Sequence, residues 1–293
     1  MKILVTGSNG FLGQHLCTNL VNKGFDVIAT SRGSNKIENS KQIKFQAVDV
    51  TKKTEIVSTL QHYKPDVIIH NAAMSKPDEC HNNHEACILQ NVTATAYLIE
   101  AAKTINSHFI YVSTDFVFGD NGPHSEDAEK VPLNFYGNSK LMAEQLVQRS
   151  GLQFAIMRPV FIYGKQLTNM KGTFLHWVKN SLVAGQKINV VNDQYRTPTF
   201  VNDICNGIAS IIEKKATSEF HLAGKDILTP YQMATTLANI LQLDASLITP
   251  VTSETFVEPV KRAKKSGLKI DKAIRELNYQ PISFQEGVRL SFL

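Results

Sequence analysis

Lys2-Ile-Leu-Val-Thr-Gly7-Ser-Asn9-Gly10-Phe11-Leu12-Gly13 is the stretch that decides how this 293-residue chain folds. The run before Gly7 is short, apolar and β-branched, as a strand requires, while Phe11, Leu12, Leu16, Leu20 and Val21 recur at helical spacing. Strand, tight turn and helix follow from those two periods. The alternation then repeats, with strands expected at 26–30, 43–48, 66–70 and 109–112 and helices at 54–63 and about 85–105. Such alternation predicts an α/β fold built on a doubly wound parallel sheet. Val67-Ile-Ile69 and Phe109-Ile-Tyr-Val112 are apolar on both faces, which suits strands covered by helices above and below.

Beyond Arg158-Pro159 and Tyr163-Gly164 the regularity weakens. Helices are expected near 173–183, at 201–213 and at 231–241, with extended runs at 188–191 and 220–224. We therefore expect residues 1–164 with about 197–223 to form a dinucleotide-binding domain. Residues of about 165–196 and 224–293 would then form a smaller C-terminal lobe that binds substrate over the cofactor.

Composition narrows the function classes. With 43% hydrophobic and 19% charged residues the chain can bury a sizeable core. A net charge of +5 is modest, and the densest basic run, Lys261-Arg262-Ala-Lys264-Lys265, has no interleaved aromatics, so it reads as a solvated face and not a nucleic-acid site. No apolar run is long enough to cross a bilayer, and the first residues lack the core of a secretory signal, so no membrane partner and a cytoplasmic location are expected. Four cysteines without a CxxC pair are expected as free thiols. Cys80-His81-Asn-Asn-His84-Glu-Ala-Cys87 resembles a metal cluster, but its spacing does not match zinc ligand pairs, and no metal is expected.

The turn from Gly7 to Gly13 supplies backbone N–H groups and a helix N-terminus to a pyrophosphate, although its spacing is GxxGxxG. At the end of the second strand, where an acidic residue would hold a ribose 2′-hydroxyl, the chain reads Ala29-Thr-Ser31-Arg32. No carboxylate repels a phosphate there, and Arg32 with Ser31 can pair with one, so NADP(H) is favoured over NAD(H). Tyr136 and Lys140 lie four apart on one helix face. A phenol titrates near 10 and exchanges protons poorly at neutral pH unless a cation stabilises the phenolate, which Lys140 can do. Ser113-Thr114-Asp115 ends the 109–112 strand, at the sheet edge where ligands of doubly wound folds bind.

These stretches together resemble the extended short-chain dehydrogenase/reductases, which have the Rossmann fold, and within them the dTDP-4-dehydrorhamnose reductase family. The resemblance spans nearly the whole chain and includes Asn71-Ala72-Ala73, Ser113 to Phe118, Pro132 to Glu144, Arg158 with Tyr163-Gly164, Asp193-Gln194 with Pro198-Thr199, and Phe220-His221. It implies Tyr136 as proton donor, Lys140 as its partner and ribose anchor, and Thr114 as carbonyl ligand. Around the cofactor it implies the glycine turn with Asn9, Phe11 and Leu12, then Asp49, Val50, Asn71, Ala72 and Ala73, then Ser113 and Arg158. For the sugar nucleotide it implies Asp115, Phe116, Val117, Trp177 and Arg196.

Three departures bear on the substrate. The family's Asp-Gln-x-Gly-x-Pro-Thr reads Asp193-Gln-Tyr-Arg196-Thr-Pro-Thr199, Pro159-Val-Phe161 stands where a tryptophan is usual, and Lys261 to Leu268 lacks the Arg-Pro-x-x-Ser pattern. Arg196 suits either a diphosphate or a salt bridge to Asp193 or Asp203. Two other outcomes of the same fold stay open: a redox-neutral epimerase, and a non-catalytic NADP-binding regulatory subunit like the beta subunit of methionine adenosyltransferase. The expected partner is a nucleotide-diphosphate sugar, and a homodimer is left open.

Overall fold

The computed structural model describes residues 1–38, 40–167, 169–256 and 259–293. Its first half alternates as β1 (Lys2–Thr6), α1 (Phe11–Asn22), β2 (Asp26–Ser31), β3 (Lys44–Ala47), α2 (Lys53–Tyr63) and β4 (Val67–His70). Then come the short helices α3 (Pro77–Asn82) and α4 (His84–Ile88), α5 (Ala94–Lys103), β5 (His108–Val112), α6 (Phe135–Gln148) and β6 (Phe154–Arg158). The second half holds β7 (Ile162–Tyr163), α7 (Phe174–Val183), β8 (Ile188–Val191), β9 (Thr199–Phe200), α8 (Val201–Glu213) and β10 (Ser218–His221). It ends with α9 (Pro230–Ile240), β11 (Ile248–Val251), α10 (Asp271–Leu277) and α11 (Phe284–Phe292).

Seven parallel strands form the main sheet in the order β10-β6-β5-β4-β1-β2-β3. Strand alternation sends Ile3 and Val5 to one face and Leu4 to the other. On the first face these residues meet α1, α8 and α10 through Leu16, Ile204 and Leu277. On the second they meet α2, α5 and α6 through Leu60, Leu98 and Val147. Chain direction across the sheet reverses between β1 and β4, so the carboxyl ends of those strands frame a crevice.

β6 was not anticipated: Phe154-Ala-Ile-Met157 is a four-residue apolar run before Arg158, too short for periodicity to separate strand from helix. The helix expected at about 85–105 proves to be α4 and α5 joined by one π-type turn at Leu89–Thr93. A separate apolar cluster unites α7, β8, α9, β11 and α11 with Tyr163 and Phe200. The stretch from Ala273 to Tyr279, expected in that smaller lobe, packs instead on the main sheet, because Ala273, Leu277 and Tyr279 fill the gap beside α8 and Phe220.

Late residues also return to the middle of the chain. The 265–269 segment runs beside the loop after β5, with Gly122 N–H donating to the Lys265 carbonyl at 2.9 Å and Lys269 N–H to the His124 carbonyl at 2.8 Å.

Candidate active site

β1 and β4 are locked together where they open onto the crevice. The Thr6 hydroxyl oxygen accepts from the backbone N–H groups of Asn71 at 3.1 Å and Ala72 at 3.0 Å, so its own proton goes to His70 Nδ1 at 2.9 Å. Thr95 gives its proton to the Asn91 carbonyl and therefore accepts from His70 Nε2 at 3.0 Å. Those roles fix His70 as the neutral Nε2–H tautomer. Burial, with Lys140 nearby, pushes its pKa down to about 3.

The glycine turn lies against this joint. Gly7 has φ +66°, and a Cβ on it would stand 2.8 Å from the Ala72 backbone. No side chain caps α1 and no acidic residue sits in its first turn. Its first N–H groups are thus left for an anion, and the close approach leaves room for a pyrophosphate but not for bulkier residues. The dinucleotide group implied by the sequence fits these residues.

A cavity of about 520 Å³ opens from this turn. Gly7, Gly10, Phe11 and Leu12 wall one end, with Ser31 and Arg32 from the end of β2 and Val50 beyond β3. Asn71, Ala72 and Ala73 form the floor. At the other end Ser113, Thr114, Asp115 and Phe116 meet Tyr136 and Lys140.

The catalytic candidates converge because α6 starts against the end of β5. Asn134 caps α6 by accepting from Gly137 N–H at 2.9 Å. Gly137 itself packs directly on the Phe116 carbonyl, which brings Tyr136 to Thr114. One turn on, Lys140 is only 2% exposed; its Nζ donates to the Val112 carbonyl at 2.7 Å and sits 4.1 Å over the Tyr111 ring. Burial lowers the Lys140 pKa to about 7 against the pull of Glu144. Burial likewise pushes the Tyr136 phenol up, opposed by its hydrogen bond with Thr114. A phenol in that state keeps its proton until charge develops beside it.

Thr114 is held on both sides. Its hydroxyl accepts from Phe116 N–H at 3.3 Å and donates to Asp115 Oδ1 at 3.2 Å. The other Asp115 oxygen accepts from the Ser266 hydroxyl at 2.7 Å. Burial raises the Asp115 pKa while the charge of Arg196 pulls it back.

Several expected residues lie elsewhere. Arg158 ends β6 but is fully buried, gripped by Glu144 at 2.7–2.8 Å and also paired with Glu219 and His221, so it is not a cavity residue. A guanidinium taken out of water must be paired, and here the pairs are internal. Val117 joins Phe118, Val160 and Leu268 in a small apolar cluster. Gly13 packs under the turn against the Gly7 carbonyl and Ser8. Asn9 links the turn to the next loop, donating to Ser34 O at 2.9 Å and accepting from Lys36 N–H at 3.0 Å. Asp49 faces a neighbouring hollow with Arg32 and Lys52.

Trp177 is 46% exposed in a shallow hollow that shares Thr173 with the main cavity. Arg196 lies in a narrow gap with Asp115, Phe118 and Ser266, donating to the Gln194 side chain at 2.9 Å. Residues not anticipated in the cavity wall are Val48, Ser75, Gln90, Val112, Pro159, Phe161, Ile162 and Thr173. Phe161 has φ +41°, a conformation with no signal in its side-chain type.

A glycine turn at the reversal point of a seven-stranded parallel sheet, with a tyrosine and lysine four apart across the crevice, defines the extended short-chain dehydrogenase/reductase class, the NAD(P)-dependent oxidoreductases. The chain belongs to the RmlD substrate binding domain family, which matches residues 1–292. It is 27% identical over 290 residues to the spore coat polysaccharide biosynthesis protein SpsK of Bacillus subtilis, covering 98% of this chain and 95% of that one. It is 28% identical over 262 residues to the bovine (Bos taurus) methionine adenosyltransferase 2 subunit beta, covering 87% and 77%. A solved dTDP-4-dehydrorhamnose reductase ortholog from Clostridium acetobutylicum superposes with a TM-score of 0.87 at 27% identity, over 99% of this chain and 97% of that one. Among the described residues no helix is long and apolar enough to cross a membrane.

Proposed function

We propose that this chain is an NADPH-dependent reductase of a nucleotide-activated keto sugar. The observation that carries the reading is the meeting of Thr114, Tyr136 and Lys140 at one end of the cavity whose other end is the glycine turn with Arg32. The likeness to a dTDP-4-dehydrorhamnose reductase ortholog supports the substrate class.

NADPH, when bound, supplies hydride to the carbonyl carbon. Gly7, Gly10 and the start of α1 would hold its pyrophosphate, and Arg32 with Ser31 its 2′-phosphate. Thr114 orients the substrate carbonyl beside Tyr136. As negative charge grows on the carbonyl oxygen, the Tyr136 phenol gives it a proton. The Lys140 ammonium, four residues on, stabilises the phenolate left behind and steadies the nicotinamide ribose. Phe161 and Ile162 add apolar side chains to the cavity wall.

Replacing Tyr136 with Phe should lower kcat by about 10²–10⁴-fold while leaving the Kd for NADPH nearly unchanged. NADPH oxidation would be followed with a panel of nucleotide-linked 4-keto sugars, and a Phe variant with full activity would remove Tyr136 from the mechanism. Stoichiometric NADPH loss separates a reductase from an epimerase, which returns its hydride. The likeness to the methionine adenosyltransferase subunit favours a second reading, a regulatory subunit. Copurification with a synthetase, without turnover on any keto sugar, would select it.

A further inference from the structure

Tyr136 and Lys140 ride on α6, whereas Thr114 stands just past the end of β5 in extended backbone, with φ −161° and ψ 161°. Helix packing places the first two. A threonine outside a helix has more than one χ1 well open to it, so its oxygen stays in one position only where neighbours hold it. At 114 those neighbours are the Phe116 N–H and Asp115 Oδ1. Thr114 is therefore placed no better than Asp115 is.

Asp115 is only 3% exposed, and a carboxylate taken out of water needs donors at its oxygens. Oδ1 accepts from Thr114 and Oδ2 from Ser266 at 2.7 Å, so the group cannot turn about its Cβ–Cγ bond without losing one of them. Ser266 is in turn fixed by its backbone, in an extended segment wedged between two turns. On one side the N–H groups of Gly122 and His124 donate to the carbonyls of Lys265 at 2.9 Å and Gly267 at 2.8 Å. On the other, Ser266 N–H donates to the Tyr195 carbonyl at 3.1 Å and Leu268 N–H to the Thr197 hydroxyl at 3.2 Å. A Cβ on Gly122 would stand 2.8 Å from the Lys265 carbonyl, so the seam is tight. Ser266 itself is buried and faces the narrow gap that Asp115 shares with Arg196.

We propose that Ser266 is a positioning residue for the reduction, fixing the Asp115 carboxylate so that it holds the Thr114 hydroxyl oxygen in one place in the cavity wall. This rests on the reductase reading of the site. Ser266 touches neither substrate nor cofactor and acts only through its neighbour. Asp115 then serves Thr114 and not the sugar directly. A hydroxyl proton swings about its C–O bond at little cost, so the Thr114 proton leaves Asp115 for the substrate carbonyl while the oxygen stays where it is held. An oxygen already in place needs no rearrangement as charge develops on the carbonyl. The catalytic hydroxyl at the end of β5 is in this way set from the 264–268 segment, far along the chain.

The test uses the full chain with Ser266→Ala, which removes the donor, and Ser266→Cys, which keeps nearly the same size but donates weakly. With a nucleotide-linked 4-keto sugar, each should lower kcat by about ten- to a hundredfold and leave the Kd for NADPH unchanged. In a Thr114→Val background, Ser266→Ala should lower kcat no further, because the hydroxyl it acts through is already gone. A serine that only supports the fold would give the same fold loss in both backgrounds, and that additive result would overturn the proposal. Without any turnover, three-bond couplings to the labelled Thr114 methyl carbon should report one χ1 rotamer in the parent and an average of rotamers in Ser266→Ala. An unchanged rotamer would also overturn it. A parent that reduces no keto sugar would sink the reductase reading alone, since the couplings still decide whether Ser266 sets Thr114.

Discussion

A Cβ on Gly137 would stand 2.2 Å from the carbonyl oxygen of Phe116. The absent side chain therefore sets how closely α6 approaches the end of β5, and with it the meeting of Tyr136 and Thr114. Alanine in a helix ordinarily stabilises by up to about 1 kcal/mol over glycine. At 137 the sign should reverse, since a backbone carbonyl cannot swing aside as a flexible side chain does. Gly137→Ala should cost roughly 1–3 kcal/mol in urea unfolding and should lower kcat more than NADPH affinity. An alanine variant as stable and active as the parent would show that this approach is not needed.

Lys140 predicts an unusual pH dependence. Its pKa is about 7 in the folded chain against 10.5 for an ordinary lysine. Between those values the unfolded chain binds more protons, so the Lys140 contribution makes stability rise as pH climbs through that window. Below it the buried charge persists at full cost. Lys140→Met should therefore be more stable than the parent near neutral and acid pH, and the difference should shrink toward pH ~10. The same titration should make kcat/KM fall above about pH 7, because that ratio reports the free enzyme. A stability difference that is flat with pH would contradict the assignment.

Arg32 tests the cofactor preference. It stands at the cavity edge beside Ser31 and also lines the neighbouring hollow with Asp49. Arg32→Ala should raise the KM for NADPH by about tenfold or more, the loss of one charge-assisted phosphate contact, and leave the KM for NADH nearly unchanged. Equal effects on both would mean that Arg32 does not read the 2′-phosphate.

Arg158 separates a structural from a cofactor role. Removing one partner of its buried network with Glu144 should cost roughly 3–5 kcal/mol. Arg158→Met, measured by urea unfolding, should show most of that loss, while the fraction still folded should bind NADPH like the parent. Intact stability with lost binding would return Arg158 to the cofactor site.

Much of the fold was readable in the sequence because its main signals are local. β1, α1, β4, β5, α6 and α8 carry apolar runs of clear period, and the glycine turn occupies the reversal point where the alternation predicts it. What periodicity could not supply was depth. Arg158 has the sequence position of a residue at the crevice, yet its guanidinium is drawn inward by Glu144 from α6 and Glu219 from β10, and pairing across those separations leaves no local trace. Phe161 reaches the cavity through a left-handed backbone, and Ser75 and Gln90 through the folding of the segment after β4. The placement of 271–279 on the main sheet was hidden for the same reason: its apolar residues are few, and their partner surface is built from α8 and β10.

The hydrogen bond from Ser266 to Asp115 spans 151 positions of sequence. During synthesis the glycine turn, Thr114, Tyr136 and Lys140 all leave the ribosome well before residue 266 emerges. The main sheet can therefore gather its strands early, since domains tend to form N-terminal first as they appear. Until that stretch arrives, the Asp115 carboxylate lacks the Ser266 hydroxyl as a hydrogen-bond donor. This side of the cavity thus waits on residue 266, so a chain stopped before it would carry the glycine turn while Asp115 lacked its Ser266 partner.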